Sequence, residues 1–252
     1  MDETPPRVSI ITITFNSEKT LDDTIESILN QSYKDIEYII IDGGSTDRTI
    51  SIIESYRNEL DLKGIPFKFI SESDNGIADA WNKGLKHAKG KIIGMLNSDD
   101  WFDEHAIRNA VSCLDPDKNE LSYGVCKRVN ERKEIVETMD VVFNPKRIYL
   151  NFGFSFTTCF FTKKLVAHIG NFNTQYRIAI DTDFLLRSLK VATFIKCKNI
   201  TYMRLGGVST KYQEKALSEY QLALKANGYN PGLIFIFGLL KKGFLFLRRS
   251  RS

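Results

Sequence analysis

Four times within the first hundred or so residues, an apolar run too short for a helix breaks off at polar residues and gives way to helical periodicity. No other feature of the chain restricts the fold as strongly. Residues 8–15 (VSIITITF) are β-branched and apolar on both faces, as a central strand of a parallel sheet is. They break at Asn16 and Ser17, and Thr20 opens a helix with Leu21, Ile25, Ile28 and Leu29 on one face. Strand-like runs at 38–41, 67–70 and 91–96 repeat the pattern, with helices expected over 48–56, 76–88 and 104–114. This alternation predicts an α/β fold, an open, mostly parallel twisted sheet flanked by helices. Ligands of such sheets bind outside the carboxyl ends of the strands. The informative positions are therefore Thr14, Phe15 and Asn16, then Asp42 and Gly43, then Glu72, Ser73 and Asp74, and finally Asn97, Ser98 and Asp99.

The fourth run, KIIGMLNSDDWF, places the adjacent carboxylates Asp99 and Asp100 at the mouth of a buried strand. Left unpaired there they would shift their pKa or cost several kcal/mol, so a cation, a hydrogen-bond network or a helix N-terminus should lie beside them. Asp100 or Asp103 is a candidate N-cap for the helix that follows.

Length and charge narrow the function. The 252 residues suffice for one α/β domain with a real core, and the formal charge of +4, from 35 basic and 31 acidic residues, is too small to argue for nucleic acid. The four cysteines, Cys113, Cys126, Cys159 and Cys197, form no C-x-x-C pair and lie near no histidine at zinc-finger spacing, which predicts reduced, structural thiols. An N-terminus with two acidic residues and no apolar signal segment predicts a cytoplasmic body.

After residue 114 the pattern loosens, with strands expected at 121–129, 160–161 and 192–203 and helices over 182–189 and 211–227. No internal repeat or long linker divides the chain. The expected organisation is one unit over 1–228, its nucleotide-binding part about 7–102 and its acceptor part about 103–228, followed by a tail over 229–252. The tail's apolar runs at 233–240 and 244–247 are split by Lys241 and Lys242 and flanked by Arg248, Arg249 and Arg251. It falls short of the ~20 apolar residues of a membrane span, and suits a segment lying in the interface of an anionic leaflet. Packing on the core is the alternative.

The acidic strand ends suggest a nucleotide diphosphate held by a divalent cation. Mg2+ and Mn2+ take oxygen ligands, use one or two protein carboxylates and let substrate phosphates supply the rest. Asp99, with Asp100 or Asn97 beside it, has the right chemistry. A phosphate loop of the G-x-x-x-x-G-K-[ST] type and the G-x-G-x-x-G fingerprint are both absent, and His87, His105 and His168 stand apart.

The segments VSIITITFNSEKTLDDTIESILNQSY, YIIIDGGSTDRT, ESDNGIADAWNKGLKHAKGKIIGMLNSDDWF and RIAIDTDFLLR, in that order, resemble the successive motifs of family 2 glycosyltransferases of GT-A fold. More narrowly, they resemble the bacterial branch that builds O-antigen, colanic acid and other surface polysaccharides. The resemblance implies that Thr14, Phe15, Asn16 and Asp42 embrace the nucleoside of a UDP-sugar, with Asp42 accepting from the uracil ring. It implies nucleotide contacts at Asp74, Asn82 and Lys83, a D-x-D position at Asn97, Ser98 and Asp99 with the last aspartate on Mn2+ or Mg2+, and a general base at Asp181. The reaction implied is inverting transfer to a polyprenyl-diphosphate-linked saccharide at the inner face of the plasma membrane. Two positions depart from the family pattern: Asn97 replaces the first aspartate of D-x-D, and Ile180 replaces the glutamate before the base. The segment RLGGVS (204–209) also lacks a histidine that many relatives carry. The Asp181 side chain has a plainer alternative as a helix N-cap. A sugar-phosphate nucleotidyltransferase would want a Gly-rich, basic loop where NSEKT stands, and a non-catalytic sugar-nucleotide-binding subunit would tolerate Asn97 and Ile180.

Overall fold

A computed structural model of the chain describes residues 7–207 and 212–249. Its centre is formed by β1 (Val8–Thr14), β2 (Ile36–Asp42), β3 (Phe67–Ser71) and β4 (Ile92–Asn97), paired in parallel in the order β3-β2-β1-β4. Val8, Ile10 and Ile11 of β1 and Ile39, Ile40 and Ile41 of β2 are fully buried, because helices cover both faces. On one side lie α1 (Leu21–Leu29), α2 (Thr49–Ser55) and α3 (Arg57–Leu62), the last a short helix that sequence periodicity did not announce. The helix α4 (Ile77–His87) packs on β1 and β2 through Ala80, Trp81 and Leu85.

Beyond β4 the sheet continues as mixed strands. The order runs β4, β8 (Phe160–Thr162), β6 (Glu120–Val129), β9 (Thr193–Arg204) and β5 (Trp101–Phe102), with β7 (Ile135–Met139) paired to β6. Here β6 and β9 are parallel, whereas β8, β5 and β7 are antiparallel to their neighbours. The expected open α/β sheet is present, with its parallel pairing concentrated in the first hundred residues. Against the mixed half lie α5 (Ala106–Cys113), α6 (Lys163–Ile169) and α7 (Ile180–Ser188), with α8 (Gln213–Ala226) packed on α7. The helix start expected at Lys211, and Val208 and Ser209 of RLGGVS, lie outside the described residues.

Two sequence expectations are corrected. Cys113 and Cys197 form a disulfide, because α5 lies along β9 and brings residues 84 apart in sequence to a Cα separation of 6.4 Å. Cys126 and Cys159 are free and buried as expected, with burial pushing both thiols up. Neither Asp100 nor Asp103 caps α5. The N-cap is His105, whose backbone N–H donates to Asp103 Oδ1.

The tail forms α9 (Pro231–Arg249). Ile234 is buried, Phe237 stacks on Tyr149 at 5.6 Å between ring centroids, and the Ile234 carbonyl accepts from Gln221 of α8. The opposite side leaves Leu233, Phe235, Ile236, Leu239 and Leu240 in solvent. Among the described residues no helix is long and apolar enough to cross a membrane.

The seating of α4 on β1 depends on one glycine. A Cβ added at Gly84 would come within 2.3 Å of Ile11 Cγ2. Both residues are buried, and overpacking a dense core costs about 1–3 kcal/mol. Gly84→Ala should lower Tm by on the order of 5 °C in a thermal melt; an unchanged Tm would mean that Ile11 gives way without cost.

Candidate functional site

The register aligns Thr14 with Asp42, Asp42 with Ser71 and Ile13 with Asn97, so the four parallel strands end at one edge. The loops after β1, β2 and β4 are laced together there. Asn16 sits at φ 50°, a left-handed conformation that asparagine tolerates. Its N–H donates to Ser45 Oγ at 2.8 Å and its Oδ1 accepts from Thr46 N at 2.9 Å. The Ser17 N–H donates to Thr49 Oγ1, and the Ser17 and Ser98 hydroxyls share a 2.8 Å hydrogen bond. Thr20 and Thr24 of the first helical segment donate to the carbonyls of Ser98 and Asp100, each at 2.8 Å. The Phe15 ring stands 60% exposed above this rim, and a Cβ at Gly43 would lie 2.6 Å from Asp74 Oδ2. Phe15 and Asp74 thus both lie against Gly43, with no room for a side chain there. The Thr14 hydroxyl is buried and has no hydrogen-bond partner among the described residues.

Three of the expected contact residues are already engaged. Asp42 is fully buried, and its oxygens accept from Gly44 N, Ser45 N, Ser45 Oγ and Ser71 Oγ. The DGGS turn folds back on this carboxylate, so within the protein Asp42 shapes the loop that carries Gly43 and Ser45. Asn82 exchanges two hydrogen bonds of 2.9 Å with the backbone of Phe172, pinning that loop to α4. Lys83 pairs with Glu72 at 3.0 Å and Asp79 at 3.5 Å, and donates to the Ser73 carbonyl. It buttresses the loop carrying Asp74.

The adjacent carboxylates at the end of β4 have separate roles. Asp100 is 1% exposed, with Oδ2 accepting from Asn97 Nδ2 and Oδ1 from Arg204 N, each at 3.2 Å. Burial, and then the neighbouring Asp99, push its pKa well above the ordinary carboxylate range. Both of its oxygens are thus engaged within the protein, by Asn97 and by the Arg204 backbone. Asp99 is half-buried, its pKa raised by burial and held back by Arg204. Arg204, at the end of β9, is a cation beside the pair, one of the three kinds of partner the sequence reading allowed. Its guanidinium donates to the Asp99 carbonyl at 2.8 Å, pairs with Asp23 of α1, and lies 4.7 Å from the Trp101 ring centroid. Lys133 joins from the β6–β7 turn at 2.6 Å from Asp23. Sequence reading noticed the RLGGVS segment only for its missing histidine. The signal for Arg204 was the unexplained charge pair itself.

Among the described residues no three His, Cys, Asp or Glu side chains converge as a self-contained metal site. The donor set nevertheless fits Mg2+ or Mn2+, which need only one or two protein carboxylates when diphosphate oxygens and water complete the shell. Among the described residues the Asp99 carboxylate accepts from its own backbone N–H and from no other side chain.

Across from this rim lies a cavity of ≈ 220 Å³ whose lining includes both Asn97 and Asp181. Apolar side chains, among them Ile77, Trp81, Phe172, Ile180 and Met203, form most of its wall. Asp181 lies in the first turn of α7, beyond the N-cap Ala179, so it does not cap the helix. Its Oδ1 accepts from Thr182 N at 2.7 Å. Burial raises its pKa, with the bonds from Thr182 opposing. Ile180, where the family pattern has glutamate, is 4% exposed and belongs to the apolar wall. A carboxylate in such a wall is a stronger base than one in water.

Comparisons with known proteins agree with this architecture. An uncharacterized glycosyltransferase of Mycobacterium tuberculosis is 31% identical over 194 residues, covering 74% of this chain and 70% of the relative. A PGL/p-HBAD biosynthesis glycosyltransferase of Mycobacterium bovis is 27% identical over 218 residues, covering 83% of this chain and 82% of the relative. Among solved structures, residues 1–349 of S. aureus TarS with UDP-GlcNAc superpose with a TM-score of 0.65 at 20% identity, covering 92% of this chain and 71% of that one. A mannosyltransferase of Pyrobaculum calidifontis with GDP-Man and Mn2+ gives a TM-score of 0.67 at 17% identity, covering 94% and 69%. These likenesses establish the GT-A fold. Residues 9–181 match the glycosyl transferase family 2 pattern, and the chain belongs to that family.

Proposed function

We propose that the protein is an inverting hexosyltransferase that moves a sugar from a UDP-sugar to a hydroxyl of a lipid-diphosphate-linked saccharide in bacterial surface-polysaccharide synthesis. One observation carries this reading: the same cavity is lined by Asn97, two residues before Asp99 at the end of β4, and by the buried carboxylate of Asp181, whose hydrogen bonds among the described residues come from Thr182. When bound, Mn2+ or Mg2+ would neutralise charge developing on the leaving diphosphate. Asp99 would hold it, with Asn97 and Ser98 shaping the loop. Phe15 and Asp74 would border the base, with Thr14 and Asn16 beneath. Asp181 would take the proton of the acceptor hydroxyl as that oxygen attacks the anomeric carbon from the face opposite the diphosphate. The UDP and UDP-GlcNAc complexes of TarS support the donor class.

The acceptor side rests on α9. Its outward face is apolar, and residues 231–249 contain no acidic residue while carrying Lys241, Lys242, Arg248 and Arg249. That composition suits an anionic leaflet, with the enzyme at the inner face of the plasma membrane. A panel of UDP-sugars with Mn2+ and a synthetic lipid-diphosphate saccharide in anionic vesicles tests both parts. One donor should give product with inverted anomeric configuration, and Leu239→Asp with Leu240→Asp should lower vesicle recovery by on the order of tenfold. Absence of transfer from every nucleotide sugar would overturn the activity. Unchanged recovery of the double variant would return α9 to a purely packing role.

A further inference from the structure

Three consecutive backbone N–H groups, those of Arg177, Ile178 and Ala179, point at a single oxygen. They donate to Oε2 of Glu219 on α8 at 2.9, 2.7 and 3.0 Å. Glu219 is 8% exposed and about forty residues further along the chain. A buried carboxylate costs several kcal/mol unless hydrogen bonds compensate, and three N–H donors on one oxygen are that compensation. The segment is also tied by the Arg177 guanidinium to the Asn75 carbonyl, and it leads directly into α7. Within four residues it delivers Ile178 and Ile180 to the cavity wall and Asp181 to the cavity. The far end of α8 is fastened to the same helix, where Asn227 Nδ2 donates to Asp183 Oδ1 at 3.2 Å. Leu217, Ala223 and Leu224 already supply the apolar packing of α8. The carboxylate adds a directional bond at the point where the base enters the site.

We propose that Glu219 is a positioning residue that fixes the entry of α7 and thereby aims Asp181 at the acceptor hydroxyl. This rests on Asp181 being the base. General-base transfer is sensitive to misplacement: a shift of about 1 Å costs on the order of 100-fold. The donor rim is built from the ends of β1 to β4, and the bond that joins it to this segment is made by the Arg177 guanidinium to the Asn75 carbonyl and not by Glu219. Loss of Glu219 should therefore lower kcat and leave donor binding in place.

The test compares Glu219→Ala, Glu219→Asp and Glu219→Gln with the wild type in kcat, donor KM, UDP affinity by calorimetry and Tm. Glu219→Ala should lower kcat by about 10- to 100-fold with donor KM and UDP affinity within about twofold. Glu219→Asp keeps the charge but falls one methylene short, and should lose nearly as much. Glu219→Gln retains an acceptor oxygen at the right reach and should recover most of the loss. Wild-type kcat in Glu219→Ala or Glu219→Asp, or a parallel fall of kcat, UDP affinity and Tm that Glu219→Gln does not rescue, would overturn the proposal. Asp181→Asn is the control that separates the two readings. Retained transfer in that variant removes the base itself, whereas lost transfer beside an unaffected Glu219→Asp overturns the positioning role alone.

Discussion

Asp181→Asn is expected to lower kcat by about 10²- to 10⁴-fold while UDP affinity stays within about twofold, because proton abstraction is lost and the nucleotide rim is untouched. Calorimetric titration with UDP and a transfer assay on the same preparation separate the two quantities. The pH profile gives a second signature. Burial raises the Asp181 pKa, and the base acts only when ionised. The acid limb of kcat should therefore lie above the ordinary aspartate range, with activity falling as pH drops through the raised value. The stability consequence has the opposite direction. A carboxyl whose folded pKa exceeds its unfolded pKa binds its proton more tightly in the native state, so its stabilising contribution is lost as pH rises through that interval. Above it the ionised Asp181 is a burden on the fold, and Asp181→Asn should have a Tm at neutral pH equal to or above the wild type. Retained transfer, or an acid limb at the ordinary aspartate value in the wild type, would remove Asp181 as the base.

Asp99→Asn should be nearly as damaging for a different reason. Stabilising the leaving diphosphate through a bridging cation is worth several kcal/mol, so its loss should cost about 10³-fold in kcat/KM. Mn2+ binding in the presence of UDP, followed by electron paramagnetic resonance, should weaken in the same variant, and chelation should silence the wild type. Asp100→Asn should weaken Mn2+ binding less than Asp99→Asn, because the Asp100 oxygens are turned toward Asn97 and Arg204. An Asp100→Asn that loses Mn2+ more completely than Asp99→Asn would reverse the assignment, and transfer that survives chelation would remove the cation.

The parallel half of the fold was legible because its signal is local. β1, β2 and β4 are continuous apolar runs, and Leu21, Ile25, Ile28 and Leu29 mark the buried stripe of α1 without reference to the rest of the chain. The two-residue strand β5 and the exposed strand β7 carry no such signal, since they are defined by their partners β9 and β6. The candidate site divides in the same way. The placement of Asp99 at the end of β4 and Asp181 at the start of α7 followed from short motifs. What each carboxylate touches did not. Arg204 meets Asp23 across 181 positions, and Glu219 meets residues 177–179 from a helix whose own pattern shows only packing. The intramolecular partners of Asp42 were equally out of reach, because a motif records that a carboxylate is present and not which way the next four residues fold. Cys113 and Cys197 belong to the same class, brought together by the docking of α5 along β9.

The hydrogen bonds at the strand-end rim join residues 16 to 45, 16 to 46, 17 to 49 and 17 to 98. Opening any one loop therefore breaks bonds that hold its neighbours, and isolated fluctuation of a single loop is suppressed. The loops after β1, β2 and β4 should therefore open together, and a substitution in any one of these three should be felt in the rate at which the others open.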